Sequence, residues 1–463
     1  MADYTDAEIL ALPALKQAHA VREGSLSSIR LTELYLARIR EHNETLQAFV
    51  SVQGARALKE ARRADQMSAR LPQSQLPIFH GVPIGIKDLV PTRWSPTRLG
   101  SRAYKYFISP FDGLVAQRIS AGGFITLGKL TTSEFGVMPV TEPEIHPPTR
   151  NPWDIQRTSG GSSGGSSAAV AARLLPIAQG SDGGGSVRIP SALTHLYGFK
   201  PSLSLLGNLH GKYNRLGISV MGPLAHYVED AAALLDVMRG HPQRDAGLSS
   251  CLAATQRRPP SLRIRLMTDT PIGPIDPELL SAVREVAETL RALGHTVDEG
   301  VSSKVKIEEF LPLWSFATSG IRTLSDRFLQ PITRWVREGA RGVTFEMAEA
   351  LRQELVKRID QSFGDAEILL SPTVPTIAPK IGTYDRPDEP ERAFREAAQL
   401  GSLTAAFNLN HGPAASLPLG LTASGHPFGV QLGAHPGQDH LILSLSRQLE
   451  EALPWHDRRP SGY

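Results

Sequence analysis

Three stretches of the 463-residue sequence carry residue types that could do chemistry together. The first is Lys87, set in Val82-Pro-Ile-Gly-Ile-Lys-Asp-Leu-Val90, where every near neighbour except Asp88 is apolar. Most lysines are solvated, but burial depresses the pKa of the amine and leaves part of it neutral, able to act as a base near pH 7. The second is the tract Thr158-Ser-Gly-Gly-Ser-Ser-Gly-Gly-Ser-Ser167, and the third is Ser181-Asp-Gly-Gly-Gly-Ser-Val-Arg-Ile-Pro190. A serine hydroxyl needs a base before it can attack an amide, and lysine can take the part that histidine plays elsewhere.

A Gly/Ser tract between two polar regions reads as a flexible linker. Here the tract lies between a strand-like segment and the apolar, Ala-rich run Ala168 to Leu175, so its glycines are expected to permit unusual backbone angles beside a packed core. Such a turn can aim several N–H groups at one point, which suits a phosphate or a developing oxyanion. The phosphate reading falls because no lysine follows the glycines as a P-loop requires. The pattern G-x-S-x-G occurs twice, centred on Ser162 and on Ser163, which keeps an α/β-hydrolase nucleophile elbow open. A Gly/Ser repeat meets that pattern cheaply, and nothing singles out His411, His435 or His440 as the partner it would need.

The elements that must position these residues follow from periodicity. Apolar positions from Asp6 to Val52 recur at helical spacing around a turn at Ser25 to Ser28. Gly81 to Val90 reads as a buried strand running into a loop, Leu114 to Ala121 as a helix and Phe124 to Gly128 as a strand, a parallel βαβ unit. Ile177 to Gly180 is a short strand between the two glycine clusters, and Val228 to Met238 is a helix. The stretch from His241 to Leu262 reads as a surface connection that includes Cys251 as an incidental loop thiol. Asp276 caps a helix that starts at Pro277 and leads to a strand near His295 to Val297, and helices fill Ile307 to Phe363. A strand at Glu367 to Pro372, a helix at Leu400 to Leu409, strands at Ala414 to Leu419 and Phe428 to Leu432 and a helix at Leu441 to Leu453 complete the chain.

Composition narrows the function classes. With 49 Lys+Arg against 46 Asp+Glu the net charge is +3, so neither nucleic acid nor an anionic membrane is the expected partner, and a small neutral molecule is. One cysteine rules out an internal disulfide or a multi-thiolate metal site. The N-terminus lacks a basic segment followed by an apolar one, and the most apolar run, Ala168 to Ala178, is broken by Arg173 and Pro176, far short of the roughly 20 residues a bilayer crossing needs. A cytoplasmic protein is expected.

The chain resembles the amidase signature family of serine hydrolases. The matching segments are Gly81 to Leu89, Asn151 to Trp153, Gly160 to Gly165, Gly180 to Pro190, Gly198 to Pro201, Gly222 to Ala225, Leu370 to Thr373 and Gly429 to Leu432, in family order along nearly the whole chain. The resemblance implies a single α/β/α domain over 1–463 around a central mixed, mostly parallel sheet covered by helices, with scaffold helices over 6–70 and a variable substrate-pocket region over about 241–363. It places the nucleophile on Ser186, a bridging serine on Ser162 and the base on Lys87, with a cis Gly161–Ser162 peptide. The N–H groups of Gly183, Gly184 and Gly185 would hold the oxyanion. Asp182 and Arg188 would fix the loop, or form a plain structural salt bridge, and Ser163 would bond locally.

The implied reaction is amide hydrolysis through an acyl-enzyme, with no cofactor and no metal, and a homodimer is compatible with the family. Two other readings stay open: the glutaminase-type chain of a tRNA-dependent amidotransferase, and an esterase of α/β-hydrolase fold. Trp314, Phe316 and Trp335 could line an acyl pocket, although aromatics at helical spacing are more often core. The sequence departs from the common family pattern at Gly183, where many members carry Thr or Ile, which predicts a mobile oxyanion loop unless packing restrains it, and at Ser191 to His195. The triglycine and the ending from Pro454 to Pro460 resemble the branch with stand-alone amidases and hydrolases of ω-amino-acid oligomers.

Overall fold

The apolar run before Lys87 becomes a strand whose five residues are all buried, as expected of a segment covered on both faces. The computed structural model describes residues 4–209, 211, 214–241 and 250–463. In chain order its strands are β1 (Phe49–Val52), β2 (Pro83–Lys87), β3 (Ile125–Leu130), β4 (Arg150–Asn151), β5 (Asp154–Thr158), β6 (Ile177–Asp182), β7 (Tyr197–Lys200), β8 (Val220–Ala225), β9 (Arg263–Met267), β10 (Thr296–Gly300), β11 (Ile368–Pro372), β12 (Ala414–Leu421) and β13 (Pro427–Ala434). β4 and β5 form a small ribbon; the other eleven build one sheet in the order β1-β3-β2-β6-β8-β7-β12-β13-β11-β9-β10. Helices cover both faces, and two large apolar clusters fill the layers between them and the sheet.

The expected βαβ unit is present: β2 and β3 pair in parallel across the helix Leu114–Ala121. The sheet is mixed, as expected, but it is not mostly parallel. Among the described residues only β2–β3, β2–β6, β9–β10 and β9–β11 are parallel pairs, and the centre from β6 through β11 is antiparallel. The physical reason is connection length. β12 ends at Leu421 and β13 starts at Pro427, a hairpin link, whereas a parallel partner needs a crossover of about a dozen residues or more.

The Gly/Ser tract is no linker. It opens the helix Gly164–Ala171, all eight of whose residues are buried. A Cβ on Gly164 would lie 2.4 Å from Thr141 Oγ1, and one on Gly165 would lie 2.3 Å from the Thr131 amide nitrogen. The glycines are therefore required by close packing against the core.

Two further expectations change. Leu400 to Leu409 is not one helix; it is a 3-10 turn, Ala398–Gly401, and a short helix, Ala406–Leu409. The break between them frees Leu403 to turn its carbonyl towards Gln431, while the Thr404 carbonyl accepts from both Phe407 N and Arg188. Cys251 is not in a loop. It starts the short helix Cys251–Thr255 behind an N-cap at Ser250, and it is fully buried. Part of that connection, 242–249, lies outside the described residues. The Asp276 cap and Pro277 start are as expected. Among the described residues no helix is long and apolar enough to cross a membrane.

A buried carboxylate is one of the ties between the N-terminal helices and the body. Asp230, on the helix Val228–Arg239, accepts from Ala14 N at 2.7 Å and Leu15 N at 2.9 Å, the uncapped start of the helix Ala14–Glu23. An orphaned buried donor costs about 1–3 kcal/mol. Asp230→Ala should therefore lower the unfolding free energy by about that amount in urea titration; an unchanged midpoint would show that these helices do not depend on this anchor.

Candidate active site

Lys87 is the last residue of β2, and its parallel neighbour β6 ends at Asp182. The C-terminal ends of two parallel strands thus meet at one point, the place where open α/β sheets commonly hold ligands. Gln179 of β6 fixes the register by accepting from Lys87 N at 3.1 Å. The Lys87 side chain is fully buried, and its Nζ lies 2.7 Å from Ser162 Oγ and 3.1 Å from Ser181 Oγ. Burial lowers its pKa to about 7, opposed only in part by the Asp182 carboxylate. Lys129 and Lys200 are also buried, but Lys129 pairs with Asp88 at 3.3 Å and Lys200 donates to Pro201 O. Of the three, Lys87 alone faces serine hydroxyls.

The two glycine turns are stitched together around this amine. The Gly161–Ser162 peptide is cis. Ser163 N donates to Ser186 O at 3.2 Å and Ser163 Oγ donates to Ser181 O at 3.2 Å, the local bonding expected of that residue. Ser162 and Ser186 both line one cavity of about 550 Å³. Ser186 is 7% exposed, enough to meet a bound molecule.

The triglycine divides its tasks. Gly185 has φ +126°, and its N–H donates to Asp182 Oδ1 at 2.8 Å. That amide is already occupied, which corrects its expected place in the oxyanion set. Among the described residues the N–H groups of Gly183, Gly184 and Ser186 make no hydrogen bond and remain available. The loop is also packed: a Cβ on Gly183 would lie 3.2 Å from the Trp314 ring, and Phe310 lies beside Gly184. Thr404 Oγ1 donates to Gly184 O at 2.6 Å. Trp314 therefore fills the space that a larger residue at position 183 would take, and the loop is restrained.

Beneath the loop, Arg188 is fully buried and grips Asp182 with both Nε, at 3.0 Å, and Nη2, at 2.9 Å. It also donates to Thr404 O, Gln431 Oε1 and Asn408 Oδ1. Asn408 returns to Asp182 O and Ile218 O. Burial opposes ionisation of Asp182, yet the Arg188 guanidinium holds the carboxyl well below the usual range. Every hydrogen bond of this pair goes to the loop and its support, so Asp182 and Arg188 position the triglycine rather than face a cavity.

Ser186 and the Trp314 ring separate two cavities. The larger, already noted, is also lined by Ser162, Leu99, Phe111 and Met221; the smaller, of about 80 Å³, is lined by Val137, Ile189, Phe310 and Phe394. Of the three aromatics singled out in the sequence, only Trp314 lines them. Phe316 packs in the core against Phe345, and Trp335 packs on Phe394 from outside. Sequence reasoning missed Ser181, Thr404 and Asn408 as individual residues. Ser181 and Gln431 fall inside matched segments, whereas Thr404 and Asn408 carried no signal.

The histidine alternative finds no geometry. His411 bonds to Leu216 O, His435 lies 3.8 Å from an Asp360 carboxylate oxygen and His440 sits in the helix Asp439–Ala452. Among the described residues no histidine hydrogen-bonds to Ser162, Ser163 or Ser186.

Comparison with known proteins shows the family. The family model described as Amidase matches residues 30–443. A putative amidase of Synechocystis sp. is 33% identical over 99% of this chain and 92% of its own length. A 6-aminohexanoate-cyclic-dimer hydrolase of Paenarthrobacter ureafaciens is 33% identical over 96% of this chain and 96% of its own. The solved structure of a 6-aminohexanoate cyclic dimer hydrolase superposes with a TM-score of 0.86 at 31% identity, covering 98% of this chain and 99% of that one. A glutamyl-tRNA(Gln) amidotransferase chain of Azotobacter vinelandii is similar to a like degree, 34% identical over 98% of this chain and 99% of its own. Fold, motif order and likeness along the full length agree, and the chain belongs to the amidase signature family of amide-bond hydrolases.

Proposed function

We propose that this chain hydrolyses a carboxylic acid amide to a carboxylate and ammonia or an amine through an acyl-enzyme on Ser186, with Ser162 as proton relay and Lys87 as base. The observation that carries the reading is the 2.7 Å contact between a buried, largely desolvated lysine amine and Ser162 Oγ. A neutral Nζ accepts the Ser162 proton, Ser162 Oγ accepts the Ser186 proton, and Ser186 Oγ forms its bond to the carbonyl carbon. The N–H groups of Gly183, Gly184 and Ser186 receive the developing oxyanion; one such donor typically contributes about 3 kcal/mol to lowering the barrier. As the C–N bond breaks, the proton held by the lysine passes back through Ser162 to the leaving nitrogen. Water then repeats the sequence on the ester and frees the acid and Ser186.

The glutamyl-tRNA(Gln) amidotransferase chain is similar along its full length, and by its name it works as one component of an assembly. The reading of a stand-alone amidase is favoured by the likeness to the cyclic dimer hydrolase at a TM-score of 0.86. Turnover of simple amides by the purified chain separates the two readings.

Fluorophosphonate labelling tests the assignment of roles. Ser186→Ala should abolish the adduct, while Ser162→Ala and Lys87→Met should slow its formation by about 10²–10⁴-fold, the range of general-base contributions; equal labelling of Ser186→Ala and the parent would place the nucleophile elsewhere. Because the working form of Lys87 is the neutral amine and its pKa lies at about 7, kcat/KM should rise with pH and level off above about 7. A profile that stays flat down to pH 5, or rises only near the ordinary lysine pKa of about 10.4, would contradict a desolvated base.

A further inference from the structure

We propose that the acyl part of the substrate is an apolar chain ending in an anionic group, and that Lys306 is the residue that reads that end. The proposal rests on the assignment of Ser186 as the acylated residue. If Ser162 hands the proton to the leaving nitrogen, the amine must depart on the side of Ser162. The larger cavity touches both Ser162 and Ser186, whereas the smaller one reaches Ser186 without Ser162. The smaller cavity is therefore the acyl side.

Its walls are mostly apolar, and among the described residues that line it Lys306 alone carries a charge. Lys306 immediately precedes the helix Ile307–Ser319. Lys306, Phe310 and Trp314 recur four residues apart and so share one helix face, and all three line this cavity. Trp314 stands at the nucleophile end, against Gly183. At 1.5 Å per residue Lys306 lies about 12 Å back along the same wall. A chain lying along this face thus passes from the acylated serine, over apolar surface, to a lysine.

That ammonium feels the carboxylates of Glu308 and Glu309 through space but makes no close ion pair with either. The neighbouring acids are engaged elsewhere: Glu308 pairs with Arg395 at 2.5 Å and Glu309 with Arg358 at 2.6 Å, while Glu309 also accepts from the Lys306 backbone N–H. Among the described residues no carboxylate lies within 4 Å of Lys306 Nζ. A carboxylate or sulfonate at the far end of the acyl chain would supply a close ion pair, and a neutral chain end would leave the ammonium in water.

The test compares anilides that share a leaving group and differ only at the acyl terminus: a series of ω-carboxyalkanoyl nitroanilides of increasing length and their methyl esters. The parent enzyme is expected to show an acid-to-ester KM ratio below one, deepest at a single chain length. Lys306→Met should move that ratio up about fivefold, and Lys306→Glu should reverse it and favour the matching ω-aminoalkanoyl anilide. Arg322→Met, on the rim of the larger cavity, should leave the ratio in place. An unmoved ratio in both Lys306 variants overturns the proposal, and a ratio that answers to Arg322 instead overturns the assignment of sides. In either case loss of labelling and turnover in Ser186→Ala would leave the acyl-enzyme reading intact; retained turnover in that variant would bring down the reading itself.

Discussion

The structure depends on one desolvated amine. Lys87 is buried with hydroxyls, rather than a carboxylate, as its nearest polar partners, so the protein stabilises its neutral form more than its charged form. The contrast with Lys129 shows what this requires. There an aspartate at 3.3 Å supports the charge, which makes a structural ion pair. At Lys87 the Asp182 carboxylate, which pairs with Arg188 at 2.9 Å, offsets the effect of burial only in part.

A reactive constellation of this kind needs rigid support, because a misplacement of about 1 Å can cost two orders of magnitude in rate. Support comes from packing as much as from hydrogen bonds. Glycines of the first turn press against Thr141 and Thr131, Gly185 turns where no side chain would fit beside Thr404, and the Trp314 ring fills the space beside Gly183. Chain segments far apart in sequence converge on Asp182 and Arg188 through Asn408, Thr404 and Gln431. The loop that carries Ser186 is thereby fastened to β6 and to the segment that leads into β12 and β13.

Much of this was legible in the sequence, for physical reasons that differ by element. The burial of Lys87 was readable because its neighbours are apolar on both faces of a strand. The importance of the glycine turns was readable because a Gly/Ser tract running straight into an apolar helix makes a poor linker. That Ser186 and Ser162 share one cavity came from the family resemblance and not from spacing, since the meeting of two turns is a tertiary fact. The antiparallel centre of the sheet was missed because strand pairing depends on connections that periodicity does not reveal. Thr404 and Asn408 were invisible for a related reason: their partners lie more than two hundred positions away, and a helical pattern over Leu400 to Leu409 concealed the break that lets them reach. Gly183 looked like a source of mobility because the sequence does not show which aromatic ring stands over it.

The most direct test of the central claim is a titration of the Lys87 side chain itself, followed through the Cε and Nζ resonances of lysine-labelled protein and assigned by their disappearance in Lys87→Met. The account predicts a midpoint near 7, shared by the pH dependence of acylation. A midpoint near the ordinary lysine value of about 10.4, with the amine charged throughout the active range, would contradict it.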